Sequence, residues 1–226
     1  MTERVVRKPS TRGAAVRSYG PEVGEPPLLF DPRRWGSLLG MIGGLVFIGS
    51  YSSVLGAVVS IVAWAAGVVL VLAALVAHYM WPVALGPMAR PSRLALATYV
   101  VCVAGELALI NLGSRALTAA GDDRLRPALI ATVVGLHFLP FAWAFKERMF
   151  FWLGGLVSGL GASGLLAGAL GGAHAAEAAA VLAGLVMLIV ITAYARGRFA
   201  PAPPDRGSAD REAGRSSSGR KRSFRA

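Results

Sequence analysis

Charged residues and cysteine are scarce in this chain. Only 15% of its 226 residues are charged, against about 25% in an average soluble domain. Cys102 is the single cysteine, which excludes an intrachain disulfide and a metal site made of several thiolates. An ordinary water-soluble domain and a disulfide-stabilised secreted domain are therefore both disfavoured.

Enzyme signatures are missing as well. The sequence contains no H-E-x-x-H zinc motif, no G-x-S-x-G elbow, no phosphate-binding loop and no dinucleotide-binding fingerprint. We therefore expect that the protein is not an enzyme, that it has no catalytic residue and that it binds no metal and no cofactor.

Apolar residues are abundant and concentrated in the middle of the chain. They make up 55% of the residues, and the mean hydropathy is +0.58 although both tails are polar. Crossing about 30 Å of hydrocarbon takes about 20 mostly apolar residues in a helix. Six segments qualify: 35–52, 54–79, 94–112, 127–145, 150–171 and 175–194. The predicted fold is all-α, a bundle of six transmembrane helices over 35–196, with disordered basic tails at 1–34 and 197–226.

The first two spans are separated only by residues 51–53. This link is short for a helical hairpin, and one long broken segment is the alternative. We favour the hairpin, because about 45 apolar residues are more than twice what one crossing uses.

The distribution of Lys and Arg predicts the orientation. Twenty of them flank the spans on the side of the two tails, and three, Arg115, Arg124 and Arg126, lie on the other side. Because cytoplasmic flanks are rich in Lys and Arg, both termini are predicted to be cytoplasmic. Arg outnumbers Lys 20 to 3 and Ala and Gly are frequent, which favours a bacterial source and hence the bacterial cytoplasmic membrane.

Basic charge gives the chain a net charge of +11. A nucleic-acid arm and a lipid-contacting tail are the two interpretations. Most of the charge lies next to membrane spans, where each residue attracts anionic lipid by about 1 kcal/mol. We therefore expect the bilayer and its anionic lipids as partners, and no nucleic acid.

Small residues recur every four positions on two spans. Gly36, Gly40 and Gly44 form one such stripe, and two more lie on the fifth span: Gly155, Gly159, Ser163, Ala167 and Gly171, and Gly164, Gly168 and Gly172. These faces let helices approach closely. Packing within the bundle is the main expectation, and contact between copies in a homo-oligomer is the alternative.

Two ionisable residues fall at mid-span. Glu106 lies about 18 Å along the third span and His137 about 15 Å along the fourth, at 1.5 Å per residue. The spans are consecutive and antiparallel, so the two side chains reach similar depths. A central charge costs at least about 2.5 to 3.5 kcal/mol on insertion scales, so such residues mark candidate sites. We predict that Glu106 and His137 contact each other and bind a substrate or a proton.

Tyr99 and Pro140 complete the predicted site. Tyr99 lies seven residues before Glu106, on the same helix face, and is predicted to extend a polar line toward the cytoplasm. Pro140 cannot donate a backbone hydrogen bond and crowds the carbonyl of Leu136, so the fourth helix is predicted to kink there.

Other polar residues are weaker candidates. Asn111 is expected to pair with Arg115 rather than with Glu106. His174 and Glu177 have the spacing of two metal ligands, but two ligands at a helix end make no site. His78, among aromatic residues at a predicted cytoplasmic boundary, is interpreted as an interfacial residue.

Residues 135–146, which include His137 and Pro140, carry a recognisable pattern. With its G-x-H-F-L-P-aromatic-A-W core, the pattern resembles the signature of a family of small, functionally uncharacterised bacterial multi-pass membrane proteins. The resemblance implies a membrane fold and a marked position at His137, and it supplies no substrate.

Two functions stay open at this point. The protein is a small permease or ligand-binding membrane protein with Glu106 and His137 at its polar centre, or it is a structural or accessory membrane protein in which the pair only fixes helix packing. A cavity that reaches both residues would favour the first, because transport requires a path.

Overall fold

The computed structural model describes residues 32–81 and 92–199 of the chain, and over these ranges every regular element is a helix. The six α-helices are α1 (Pro32–Tyr51), α2 (Ala57–Tyr79), α3 (Arg93–Ala120), α4 (Arg126–Phe145), α5 (Met149–Ala169) and α6 (Ala175–Ala195). Short 3₁₀ turns, Ser52–Leu55 and Asp123–Leu125, precede α2 and α4. All six α-helices are long and apolar enough to cross a membrane. The predicted all-helical fold with six candidate spans is therefore confirmed for the described residues.

Two helices extend more than one residue beyond the predicted spans. α3 continues from 112 to Ala120, because the residues after 112 are less apolar but include good helix formers such as Ala and Leu. It ends at Gly121, whose φ of +76° lies in the left-handed region that glycine adopts at helix ends. α1 begins at Pro32, and proline is favoured at the first helical position. Residues 32–34 therefore belong to α1 and not to the tail to which they were assigned.

Most of the predicted tails lies outside the described residues. This applies to 1–31 and to 200–226. At the end of the described chain, residues 197–199 follow α6 in a turn, and the Phe199 ring lies 6.5 Å from the ring of Tyr194. These three residues were assigned to the C-terminal tail, but Phe199 packs against the core of the bundle.

α6 is the central helix of the bundle. It packs against α1, α2, α4 and α5, and 67% of its most apolar stretch is buried, the largest share of the six helices. α1 and α2 are separate helices that contact each other as well as α6, so the hairpin interpretation of the first two spans is the one that the structure shows. The core therefore surrounds the last helix of the described chain.

Small residues explain how closely the helices pack. A Cβ atom on Gly44 of α1 would lie 2.9 Å from the carbonyl oxygen of Gly184 in α6. One on Gly161 of α5 would overlap the backbone of Thr132 in α4. At both crossings the backbones meet almost directly, as expected of small-residue helix contacts.

The predicted stripes differ in how they are used. Gly40 and Gly44 of the first stripe and all of the Gly164, Gly168 and Gly172 stripe have close neighbours within the bundle. In the longer α5 stripe, Gly155, Gly159 and Gly171 have open space around the position of a Cβ atom, and Ser163 and Ala167 are exposed. Contact between copies through this exposed stripe stays a prediction.

α3 is the peripheral helix. Its packing within the described chain is mainly against α4, and only 6% of its most apolar stretch is buried. The helix is nevertheless 28 residues long, about 42 Å at 1.5 Å per residue. The candidate site, Glu106 of α3 and His137 of α4, therefore lies at the contact between these two helices.

Candidate functional site between α3 and α4

Glu106 of α3 and His137 of α4 contact each other. The Oε2 atom of Glu106 lies 3.4 Å from Nδ1 of His137. Their side chains are only 17% and 12% exposed, respectively. The structure thus brings together the two mid-span residues that the sequence singles out, at the contact between the peripheral helix and the rest of the bundle.

The imidazole is close to two acceptors without a well-formed hydrogen bond to either. Its Nδ1 atom faces the carboxyl of Glu106, and the ring also lies near the backbone carbonyl of Val134, one turn earlier in α4. Within the described part of the chain, this buried nitrogen has no partner that meets hydrogen-bond geometry. A closed ionic hydrogen bond between nitrogen and oxygen would be about 2.7 to 2.9 Å long. The pair is therefore in contact but not closed.

Aromatic rings surround His137 on the side of the C-terminal half of α4. The ring of Phe138 lies 4.0 Å from the imidazole, and the ring of Phe141 meets it edge-on at 5.3 Å between centroids. Phe150 of α5 stacks on Phe138 at 6.1 Å. We call this group, completed by Phe145, the aromatic cluster. It presents an apolar surface to the pair on that side.

Tyr99 reaches the site through its ring. The ring stacks on Phe141 with 5.4 Å between centroids and 23° between planes. Within residues 32–81 and 92–199, its hydroxyl forms no hydrogen bond to Glu106 or His137, and the side chain is 42% exposed. Tyr99 thus joins the aromatic cluster through its stack on Phe141, and the predicted polar line from Glu106 through Tyr99 stays a prediction.

Pro140 lies inside α4 and on its exposed side. The helix continues through this position from Arg126 to Phe145. Pro140 thus follows the imidazole by about one helical turn, and the predicted kink stays a prediction.

A second polar group joins α3 and α4 beside the turn that connects them. The Thr118 hydroxyl donates to a carboxyl oxygen of Asp123 at 2.7 Å and accepts from the Arg126 guanidinium at 2.8 Å. Arg126 also forms an ion pair with Asp123. These three side chains close the α3–α4 hairpin at its turn.

An open groove on the protein surface, called the cavity below, lies next to the turn that these three side chains close. It has a volume of about 450 Å³ and is lined by Asn111, Ser114, Arg115, Thr118, Ala119 and Arg126. Asn111 and Arg115 both line it, but the predicted hydrogen bond between them is not formed in the described structure. Neither Glu106 nor His137 lines this cavity. Ser114 is eight residues from Glu106, about 12 Å along the helix.

Sequence reasoning missed the burial of two charged or titratable residues. His78 is only 3% exposed and its ring lies 6.5 Å from that of Tyr194 in α6, and its predicted position at the membrane interface stays a prediction. Arg34 is 4% exposed, with its guanidinium 5.0 Å from the ring centroid of Tyr79. Local sequence held no signal for the contact of His78 with Tyr194, because the two residues are distant in the chain.

The cavity was detectable from sequence, since one face of α3 carries its polar lining at three- and four-residue spacing: Asn111, Ser114, Arg115 and Thr118.

Metal ligation finds no support in the described residues. Over 32–81 and 92–199, no three His, Cys, Asp or Glu side chains come together. His174 precedes α6 with a φ of +57° and is exposed, whereas Glu177 lies in the first turn of that helix and is half-buried.

Comparison with known proteins gives no match, whether with protein families, with curated proteins or with solved structures. The resemblance of residues 135–146 to the small membrane-protein family therefore stays a prediction. The geometry of the α3–α4 contact is the basis for any functional assignment.

Proposed function

We propose that this multi-pass membrane protein binds a proton or a small polar ligand at the Glu106–His137 pair, as a small permease or ligand-binding protein would. The observation that carries the proposal is the open geometry of the pair. A buried imidazole nitrogen 3.4 Å from a carboxyl oxygen, with no well-formed hydrogen bond in the described residues, leaves capacity for a further polar partner. Leaving such a group unsatisfied costs about 1 to 3 kcal/mol.

The chemistry of the pair suits a proton. A carboxyl group and an imidazole can share one proton between them. When the proton moves, its bond to Oε2 of Glu106 breaks and a bond to Nδ1 of His137 forms, and the net charge of the pair stays the same. A small ligand with a hydroxyl or amine group could instead donate to the carboxyl and accept from the imidazole.

Access to the pair is proposed from the side of the α3–α4 turn. The aromatic cluster and Tyr99 pack on the opposite side of His137. The cavity begins at Asn111, five residues or about 8 Å beyond Glu106 along α3, and neither Glu106 nor His137 lines it. In the proposed orientation, with both tails in the bacterial cytoplasm, this turn faces the outside. The asymmetry resembles a binding site that is closed on one side and approached from the other.

A structural role is the second candidate, and one observation favours it. α3 packs mainly against α4, so a polar contact between these two helices helps to hold α3 in the bundle. In this alternative the pair only fixes helix packing, and its proton does not exchange with the surroundings.

Infrared spectroscopy of the purified protein distinguishes the two candidates. A protonated carboxyl in an apolar site gives its own C=O stretching band, which shifts when its proton is replaced by deuterium. The proposal predicts a band that shifts on transfer to D₂O and is lost in Glu106→Gln. The matched control Glu177→Gln removes a carboxyl at the start of α6 and should leave the band in place. A Glu106 carboxyl band that does not shift in D₂O would contradict the proposal.

A further inference from the structure

We infer that the cavity beside the α3–α4 turn is a binding site for a phosphate group, carried by a lipid headgroup or free in solution. This inference does not rest on the proposed role of Glu106 and His137. It rests on three features of the cavity: an uncompensated guanidinium, further donors around it, and its position along α3.

Arg115 is the uncompensated cation of this region. The two carboxylates of the turn that follows α3 are already engaged, Asp123 with Arg126 and Asp122 with Arg124 at 3.7 Å. Arg115 itself forms no ion pair and no hydrogen bond with any residue that the structure describes. All N–H donors of its guanidinium are therefore available to a ligand that binds in this cavity.

The other side chains that line the cavity carry no negative charge, although the Thr118 hydroxyl and part of the Arg126 guanidinium are already bonded to Asp123. Asn111, Ser114 and Thr118 are neutral, and Arg126 contributes a second guanidinium. The Nε atom of Arg126 is buried and has no hydrogen-bond partner in the described part of the chain. Guanidinium groups bind planar or tetrahedral oxyanions with two parallel hydrogen bonds. The two guanidinium groups thus favour an anion with several oxygen atoms over a cation.

The position of Arg115 matches the phosphate level of a bilayer. Arg115 is nine residues from Glu106, about 14 Å along the helix axis. With Glu106 at mid-bilayer, Arg115 lies at the edge of a hydrocarbon half-layer of about 15 Å. The residues of α3 between them that face away from the bundle include the exposed Leu107, Leu109 and Leu112, which are suited to acyl chains. A lipid lying along α3 would bring its phosphate to Arg115.

Thermal unfolding of the purified protein in a phosphate-free detergent tests the inference. Three probes are titrated: a short-chain phosphatidylglycerol, inorganic phosphate, and a diacylglycerol with the same chains and no phosphate. A ligand that binds only the folded state stabilises it and raises the unfolding midpoint. The stabilisation grows with the logarithm of the ratio of ligand concentration to dissociation constant. The phosphatidylglycerol should raise the midpoint of the wild type more than the diacylglycerol does.

Variants assign the effect to the cavity. Arg115→Gln should weaken phosphatidylglycerol binding at least about tenfold, because a hydrogen bond to a charged group contributes enough for a factor of that size. Arg115→Lys keeps the charge and loses the paired donors, so it should weaken binding less. The matched control Arg124→Gln removes one positive charge beside the same turn, outside the cavity lining, and should keep wild-type affinity.

The outcomes separate the two sources of phosphate. Binding of phosphatidylglycerol alone, lost in Arg115→Gln, identifies a lipid headgroup site, and binding of inorganic phosphate as well identifies a site for the phosphate group from either source. Equal weakening by Arg115→Gln and Arg124→Gln would reduce the effect to general charge and overturn the inference. Equal effects of the diacylglycerol and the phosphatidylglycerol, with none of phosphate, would overturn it too.

Discussion

The imidazole of His137 lies between a carboxyl group and a set of aromatic rings. Glu106 approaches it from α3, and Phe138 and Phe141 of its own helix cover it on the other side. In such apolar surroundings a polar contact is stronger than in water, and an unsatisfied group is also more costly. The chemistry of this position therefore depends on whether the pair can acquire a further partner.

Tyr99 provides the first test at the residue scale. Because its hydroxyl makes no hydrogen bond within the described structure, Tyr99→Phe should change the free energy of unfolding by less than about 0.5 kcal/mol, as surface changes usually do. Tyr99→Ala removes the stacking on Phe141 and should cost about 0.5 to 1.5 kcal/mol beyond the lost burial. Chemical denaturation in detergent measures both. A large loss of stability in Tyr99→Phe would show that the hydroxyl has a partner.

A contact between two residues was predictable from sequence where their distances along consecutive helices place them at the same depth. Glu106 and His137 lie on consecutive helices, so their distances from the helix ends sufficed to predict that they meet. The partner of Tyr99 was not predictable in this way. Its ring stacks on Phe141, and this contact depends on the rotation of α4 about its axis. The burial of His78 depends on α6, which hydropathy cannot place at the centre.

Helix packing at the element scale depends on which face of α5 carries each small residue. Gly161 is buried against the backbone of Thr132, whereas Gly159, two residues earlier, has open space around it. Both glycines lie in the middle of one helix, on either side of Leu160. They form a matched pair for testing the packing of α4 on α5.

Alanine substitution at these two positions should have opposite effects. Gly161→Ala forces a methyl group into backbone and should destabilise the bundle by about 1 to 3 kcal/mol or prevent folding. Gly159→Ala should be neutral or stabilise by up to about 1 kcal/mol, because alanine is the better helix former. Unfolding midpoints measure the contrast. If Gly159→Ala also changes the oligomeric state in light scattering, the exposed stripe is a contact between copies; equal midpoints for both variants would mean that α5 is rotated relative to this structure.

Hydropathy predicted the existence and order of the helices at this scale because each needs a run of apolar residues. It underestimated α3, since a helix can continue past the hydrocarbon boundary for as long as its residues favour helix and no glycine ends it. Small-residue spacing predicted a close helix approach at α1, and the structure shows that the partner is α6. It could not say which of two stripes on α5 faces inward, because both have the same period.

At the scale of the whole molecule, charge distribution predicts the orientation in the membrane. Reporter fusions at Ala119 and at the C-terminus test it. Because 20 of the 23 Lys and Arg residues lie on the side of the tails, the C-terminal fusion should report a cytoplasmic location and the Ala119 fusion an extracytoplasmic one. Finding both reporters on one side would be incompatible with six spans.

The central claim is that Glu106 and His137 interact across the α3–α4 contact, and a double-mutant cycle tests it most directly. Unfolding free energies are measured for the wild type, Glu106→Gln, His137→Ala and the double variant. Each single change should cost about 1 to 3 kcal/mol, and the double variant should lose less than the sum by at least about 0.5 kcal/mol. A control cycle of His137→Ala with Glu177→Gln should be additive. Additivity in the Glu106 cycle as well would show that the two side chains do not interact and would contradict the account.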